Sequence, residues 1–369
     1  MMRLRPLIPL LLLFSCFIHA GAQPRRVSPK ISTSLPRASF IPTTDTVRIY
    51  LLGDVMMHSR QLEYDYHAFL QHMAPAMQSA DLCIANMEFP LAGKPYTGYP
   101  AFSTPDGYAE YLADCGTDVF LLGNNHVLDR GDAGLVRTLE VYDGIRERRG
   151  VEYTGAAADT AAYSRLNPLI LRRKGIKIAI INFSYGSNYG SSGRWPALFR
   201  MDRKEVGDAF RKARESGADF ILALPHWGEE YRLLHNASQE DWARWMVREG
   251  AGAVVGSHPH VVQDTTSIYG VPVIYSLGNA ISNMSAINTR LELAVTLTVV
   301  KDRTTGEVTL LKPDLDFLWC TLPGMLTDNY STISIKEWTT RRDEWSTVSD
   351  FDNMLETLAR VKRVTGIGY

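Results

Sequence analysis

The sequence predicts an α/β fold built on a parallel or mixed sheet, and two observations carry that prediction. Short apolar runs rich in β-branched residues recur along the chain, and most are followed by a loop and then a segment of helical periodicity. The loops after these strands open on carboxylates, amides and imidazoles, at the edge where open α/β sheets bind ligands.

Composition narrows the class. Lys and Arg number 39 against 40 Asp and Glu, so there is no basic footprint for nucleic acid and no strongly acidic partner surface. Arg3 and Arg5, the apolar run 7–18 and Ala20-Gly21-Ala22 follow the order of a secretory signal peptide. The run is too short to span a bilayer comfortably. Cleavage after Ala22 is expected, giving an exported protein of the periplasm or cell surface. Leu13-Phe14-Ser15-Cys16 loosely matches a lipobox, and its use would instead leave a lipid anchor at Cys16, the one membrane contact expected. Cys83, Cys115 and Cys320 remain after cleavage, an odd and widely spaced set that argues against a disulfide framework or a thiolate zinc site. Residues 23–44, rich in Ser, Pro, Thr and Arg, read as a flexible tether. Residues 45–290 then form the main domain, and the strands and helix of 291–369 complete it.

In chain order, a strand at 46–52 ends in Gly53-Asp54-Val55-Met56-Met57-His58. A carboxylate there is costly unless paired or coordinated, so Asp54 is either a ligand or the cap of a helix over 60–73. A strand at 80–86 delivers Asn86-Met87-Glu88, and Pro105 opens a helix to residue 114. After the strand 117–122 comes Gly123-Asn124-Asn125-His126-Val127-Leu128-Asp129-Arg130-Gly131, then a helix over 133–149. Asp129, three residues past His126, can hold that imidazole in one tautomer, as a general acid requires. Two apolar runs around Arg172-Arg173-Lys174-Gly175 predict a hairpin.

Residues 184–196 read as a Gly, Ser and aromatic loop over the site, with Arg194 placed either to meet an anionic substrate or in solvent. Helices are expected over 201–217 and over 238–250, the latter capped by Ser238. Between them the strand 218–224 ends at His226. The run 253–255 leads into Gly256-Ser257-His258-Pro259-His260, where Pro259 fixes the backbone between two imidazoles that can face one point. A strand from 271 ends in Ser276-Leu277-Gly278-Asn279. Runs 291–300 and 307–315 predict a two-stranded meander, and 351–361 a closing helix.

Asp54, Glu88, Asn125, His226, His258 and His260 thus all follow apolar strands. Hard oxygen donors mixed with imidazoles, without a thiolate, suit Mn, Fe or Zn in a site that hydrolyses with activated water. Six ligands suffice for two metal ions sharing a bridging carboxylate, and are few for two. Arg130, Arg194 and Asn279 are the candidates for substrate contact.

The motifs Gly53-Asp54-Val55-Met56, Asn86-Met87-Glu88-Phe89-Pro90-Leu91, Asn124 to Gly131, His226-Trp227-Gly228-Glu229-Glu230-Tyr231, Gly256 to Gln263 and Tyr275 to Asn279 occur in the order found in the CapA proteins of poly-γ-glutamate capsule synthesis. The chain resembles that family, within the calcineurin-like metallophosphoesterase superfamily, over about residues 47–282. The resemblance implies a four-layer α/β/β/α sandwich, Asp54 as first-strand ligand, Glu88 as bridging ligand, Asn125 as ligand, His126 as general acid and His226, His258 and His260 as late ligands. Two departures separate the chain from ordinary phosphatases. Met56 replaces the histidine of Asp-x-His, with His58 near enough to contribute, and Glu88 replaces the bridging aspartate. The implied function is an exported metal-dependent hydrolase acting on an anionic polymer or phosphoester beside capsule synthesis or export proteins. A low-turnover polymer-binding or assembly component and a general secreted phosphoesterase are the alternatives.

Overall fold

The computed structural model describes residues 43–368. The expected signal peptide with Ala22 and Cys16, and nearly all of the expected tether, lie outside the described residues. The first half of the fold contributes β1 (Thr44–Val55), β2 (Leu82–Met87), β3 (Val119–Leu121), β4 (Glu152–Thr154) and β5 (Ala156–Ala157). The second adds β6 (Leu169–Arg173), β7 (Ile176–Ser184), β8 (Ala197–Leu198), β9 (Phe220–His226), β10 (Ala253–Val255), β11 (Thr265–Ile268) and β12 (Val271–Ile274). The chain closes with β13 (Leu291–Asp302), β14 (Val308–Leu310), β15 (Asp314–Thr321) and β16 (Ser331–Ser334).

Two mixed sheets form the centre. One runs β16-β15-β13-β1-β2-β3-β4 with β14 on β13, and the other runs β11-β12-β10-β9-β7-β6. β1 to β4 are mutually parallel, as are β7, β9, β10 and β12. Helices Gly131–Arg149 and Val348–Thr365 lie on the first sheet, and Arg203–Glu215 and Ala237–Glu249 on the second. With β1 and β4 facing β7 across the interior, the molecule is the α/β/β/α sandwich that the resemblance implies. The buried parallel strands explain why the apolar runs are continuous rather than alternating. No helix among the described residues is long and apolar enough to cross a membrane.

Several local expectations are corrected. Residues 60–73 form two 3₁₀ turns instead of one helix, and the α-helix begins only at Ala74. Asp65 accepts the His67 N–H, a local turn that competes with helix propagation. Asp54 therefore caps nothing; it lies within β1. The Ala237–Glu249 helix is capped by Asn236 and not Ser238, with Gln239 closing a capping box. The expected meander is three strands, because Pro313 follows β14 and cannot continue the ladder. β13 pairs with β1 from Thr44↔Asp302 to Leu51↔Val295, which places a C-terminal strand at the middle of the first sheet. Cys83, Cys115 and Cys320 are free and buried.

A buried ion pair fastens the last helix to this sheet. Arg290 bonds both carboxylate oxygens of Asp350, at 2.5 and 2.7 Å, donates from Nε to the Cys320 carbonyl and lies 4.4 Å from the Trp319 ring centre. Removing one partner strands the other charge in the interior. Asp350→Ala should lower unfolding free energy by ~3–5 kcal/mol in urea titrations, and a change below ~1 kcal/mol would show that the pair is not what holds the helix.

Candidate functional site

The site lies where the C-terminal ends of the parallel strands of both sheets meet. β1 brings Asp54, the residue after β2 is Glu88, the loop after β3 carries Asn125 and His126, β9 ends at His226, and the loop after β10 carries His258 and His260. All seven side chains are buried. Close backbone packing makes the convergence possible. A Cβ on Gly53 would sit 2.0 Å from the Gly278 carbonyl oxygen, and one on Gly256 2.2 Å from that of Tyr275. Gly256 is thus required by close approach. The left-handed turns fall on the histidines, at φ 100° for His258 and 58° for His260. Left-handed backbone at a residue with a β-carbon costs ~1–3 kcal/mol and persists only where its surroundings hold it.

The six expected ligands come together. His260 Nδ1 lies 3.3 Å from Asp54 Oδ2, and Glu88 Oε1 lies 3.6 Å from His226 Nε2 and 3.7 Å from His260 Nε2. His226 Nε2 is 2.7 Å from Asn125 Oδ1, and the His226 and His258 ring centres are 4.8 Å apart. Glu88, His258 and His260 each offer a ligand atom, all within 4.8 Å of one another. Both carboxylate oxygens of Glu88 and Nδ1 of His258 are buried without a hydrogen bond. A buried polar atom left so costs ~1–3 kcal/mol, and orphaned acceptors around one point fit a cation.

The electrostatics agree with that fit. Burial, reinforced by Asp54 and Glu230, pushes the Glu88 carboxyl well above its ordinary range. Burial drives His226 well below the usual imidazole value and His258 down to about 3, each with help from neighbouring histidines. Both are therefore neutral near pH 7, with a lone pair to offer. His260 is desolvated as well, yet its bonds to Asp54 hold its pKa above the ordinary value.

His126 Nδ1 is 2.7 Å from Asp129 Oδ2, which also accepts the Phe102 N–H at 2.9 Å. The dyad is buried and leaves Nε2 as the ring atom able to exchange a proton with a substrate. Met56 is packed in the core. His58 Nδ1 accepts the Asn283 N–H at 3.2 Å and lies 3.1 Å from Gln61 Oε1, so that nitrogen is occupied.

The substrate candidates separate. Arg194 is exposed on the loop after β7. Arg130 donates to the Pro95 carbonyl, tying its loop to the one that carries Tyr96 and Tyr99. Asn279 is buried, with Oδ1 2.9 Å from His260 Nδ1 and Nδ2 bonded to Ser282 Oγ and the Thr289 carbonyl. These contacts place it against His260.

Sequence reasoning missed the supporting shell. Asn86 Nδ2 donates to Asp54 Oδ1 at 2.7 Å, and Ser257 Oγ lies 3.2 Å from His226 Nδ1. Asn188 accepts from Asn125 Nδ2 and rests its own amide nitrogen 3.3 and 3.5 Å from the two nitrogens of His126. Exposed tyrosines rim the centre: Tyr99 near His126, Tyr185 against His258 and Tyr231 near His260. The aromatic and glycine-rich loops were visible in the sequence, but not which of their residues would reach the histidines.

The model of the family described as bacterial capsule synthesis protein PGA_cap matches residues 48–284, a span that takes in the six candidate ligands and the His126–Asp129 pair. The chain belongs to the PGA_cap family. Within similar proteins, the capsule biosynthesis protein CapA of Bacillus anthracis is 24% identical over 72% of this chain and 69% of its own length. The PGA biosynthesis protein CapA of Bacillus subtilis is 26% identical over 75% and 71%. Among solved structures, a phosphatase of Mycoplasma pneumoniae is 14% identical over 74% of this PGA_cap chain and 94% of its own, with a TM-score of 0.43. The NAD nucleotidase of Haemophilus influenzae is 14% identical over 85% and 63%, with a TM-score of 0.46.

One carboxylate beneath the site gives a pH signature. Glu292 accepts the Gly53 N–H at 2.7 Å, and burial raises its pKa from 4.5 to about 8. Between those values the folded chain keeps a proton that the unfolded chain has released, so stability falls as pH rises through the window. Glu292→Gln retains the acceptor and removes the titration. In thermal melts of metal-free protein it should match the wild type at pH 5 and melt higher at pH 8.5; equal melting temperatures at both pH values would show that Glu292 is already ionised.

Proposed function

We propose that this PGA_cap protein is an exported metal-dependent hydrolase acting in the synthesis, export or anchoring of poly-γ-glutamate or a related anionic surface polymer. The observation that carries the reading is Glu88, with two orphaned carboxylate oxygens buried among three histidines. Export rests on the signal-like order of residues 1–22, processed after Ala22 or lipidated at Cys16, and places the protein in the periplasm or at the cell surface. The polymer rests on family membership and on the names of the curated relatives.

Asp54, Glu88, Asn125, His226, His258 and His260 would hold one or two divalent ions, of Mn, Fe or Zn. A bound ion supplies Lewis acidity and a water acidic enough to attack near neutral pH. The chain's own residues then do the rest. Asp129 fixes the proton on His126 Nδ1, so Nε2 faces the leaving group and protonates it. Asn188 and Asn86 fix the amide of Asn125 and the carboxylate of Asp54, as outer partners of ligands do. Three late imidazoles and two carboxylates offset the charge of a phosphoester or carboxylate at the centre itself only with the cation present, which makes metal occupancy a condition of placing the scissile bond there.

The mature protein, reconstituted with each metal, should hydrolyse γ-linked glutamate oligomers or a generic phosphodiester. His126→Ala should lower kcat by ~10²–10⁴-fold and Asp129→Asn by ~10–100-fold, with metal content unchanged. Cleavage of phosphodiesters alone would make it a general secreted phosphoesterase. Tight oligomer binding without turnover would make it an assembly component, and failure to bind metal after reconstitution would end the hydrolase reading.

A further inference from the structure

A cavity of about 640 Å³ opens beside the centre, between residues 186–200 and the helix Arg203–Glu215. Its wall is tied to the general-acid segment at two points. Ser187 Oγ and the Asn188 N–H both reach the Asn125 carbonyl, at 3.2 and 2.9 Å, and the Ser192 N–H donates to Asp132 at 3.0 Å. Leu128, one residue before Asp129, lines the same space. A ligand reaching His126 therefore has this cavity next to it.

The lining has a definite chemistry. Arg194, Arg200 and Lys204 bring positive charge, Glu205 and Asp208 bring negative charge, and Tyr163, Tyr189 and Trp195 present aromatic faces. Arg200 and Lys204 are partnered by Glu205 at 3.3 Å and Asp208 at 3.5 Å. Arg194 has no carboxylate partner among the described residues; its guanidinium lies 5.6 Å from the Trp195 ring centre. A guanidinium resting on an indole keeps a planar fork of donors, which matches a carboxylate in two parallel hydrogen bonds. Glycines 186, 190 and 193 leave backbone close to the surface, and the aromatic faces suit the aliphatic stems between successive charges.

We infer that this cavity is a binding subsite for a carboxylate-bearing segment of the polymer beyond the bond at the metal centre, with Arg194 as its anion-binding group. The inference rests on the hydrolase reading for the position of that bond, but not for the binding itself.

The test measures binding of a γ-linked glutamate hexamer by calorimetry, using full-length mature protein both metal-loaded and treated with chelator. Wild type should bind the hexamer more tightly than free glutamate. Arg194→Gln should weaken hexamer binding by ~10-fold or more, as loss of a charge-assisted pair does, and Arg194→Lys should restore part of it, with melting temperatures unchanged. Equal hexamer affinity in wild type and Arg194→Gln overturns the subsite, as does tripolyphosphate binding that matches the hexamer and shows the same Arg194 dependence. If metal binds and a phosphodiester is cleaved while Arg194→Gln changes nothing, the subsite falls and the hydrolase reading stands. An Arg194-dependent hexamer affinity without metal binding keeps the subsite and removes the hydrolase.

Discussion

Placing the Glu88 carboxylate at the seam between two sheets, without a hydrogen bond to either oxygen, imposes a constraint that the surrounding structure is built to meet. Such a group is destabilising in an apolar interior unless protonated or neutralised by a cation. His226 and His258 do not neutralise it. Asp54 and Glu230 raise its pKa further, and burial leaves His226 and His258 uncharged. What the neighbours supply is lone pairs, aimed at the same point from four strands and the loops that follow them.

That arrangement explains where the fold carries strain and close contact. His258 and His260 both adopt left-handed backbone on either side of Pro259, and Gly53 and Gly256 lie against carbonyls that would collide with any side chain. The C-terminal segment is part of the same support. Thr289 holds Asn279, Asn279 holds His260, and Arg290, next in sequence, is anchored by Asp350 on the last helix. A helix remote from the site is thereby linked to the orientation of a candidate ligand.

The sequence made the candidate ligands legible because each lies at or just past the C-terminal end of a buried strand, and a polar group in that position needs a reason. Asp54, Glu88, Asn125, His226, His258 and His260 could be read that way one at a time, as could the His126–Asp129 pair. Groups that act through others could not. Asn86 reads as a strand end, Asn188 as one polar residue in a polar loop, and Asn279 as a candidate substrate contact, because nothing local shows that its amide reaches His260. The same limit applies to the fold. Periodicity located most helices and strands, but the pairing of β13 with β1 is a long-range choice without a local signal, and the 60–73 segment lost its helix to a turn at Asp65.

The central claim is that Glu88, His258 and His260 hold a metal ion in common, and anomalous diffraction tests it most directly. Crystals of the mature protein grown with Zn²⁺ and measured on both sides of the zinc edge should show a peak ~2.0–2.3 Å from a Glu88 oxygen and from a ring nitrogen of each histidine, lost in Glu88→Gln. A well-ordered site with no such peak, or zinc held only at surface residues, would contradict the account.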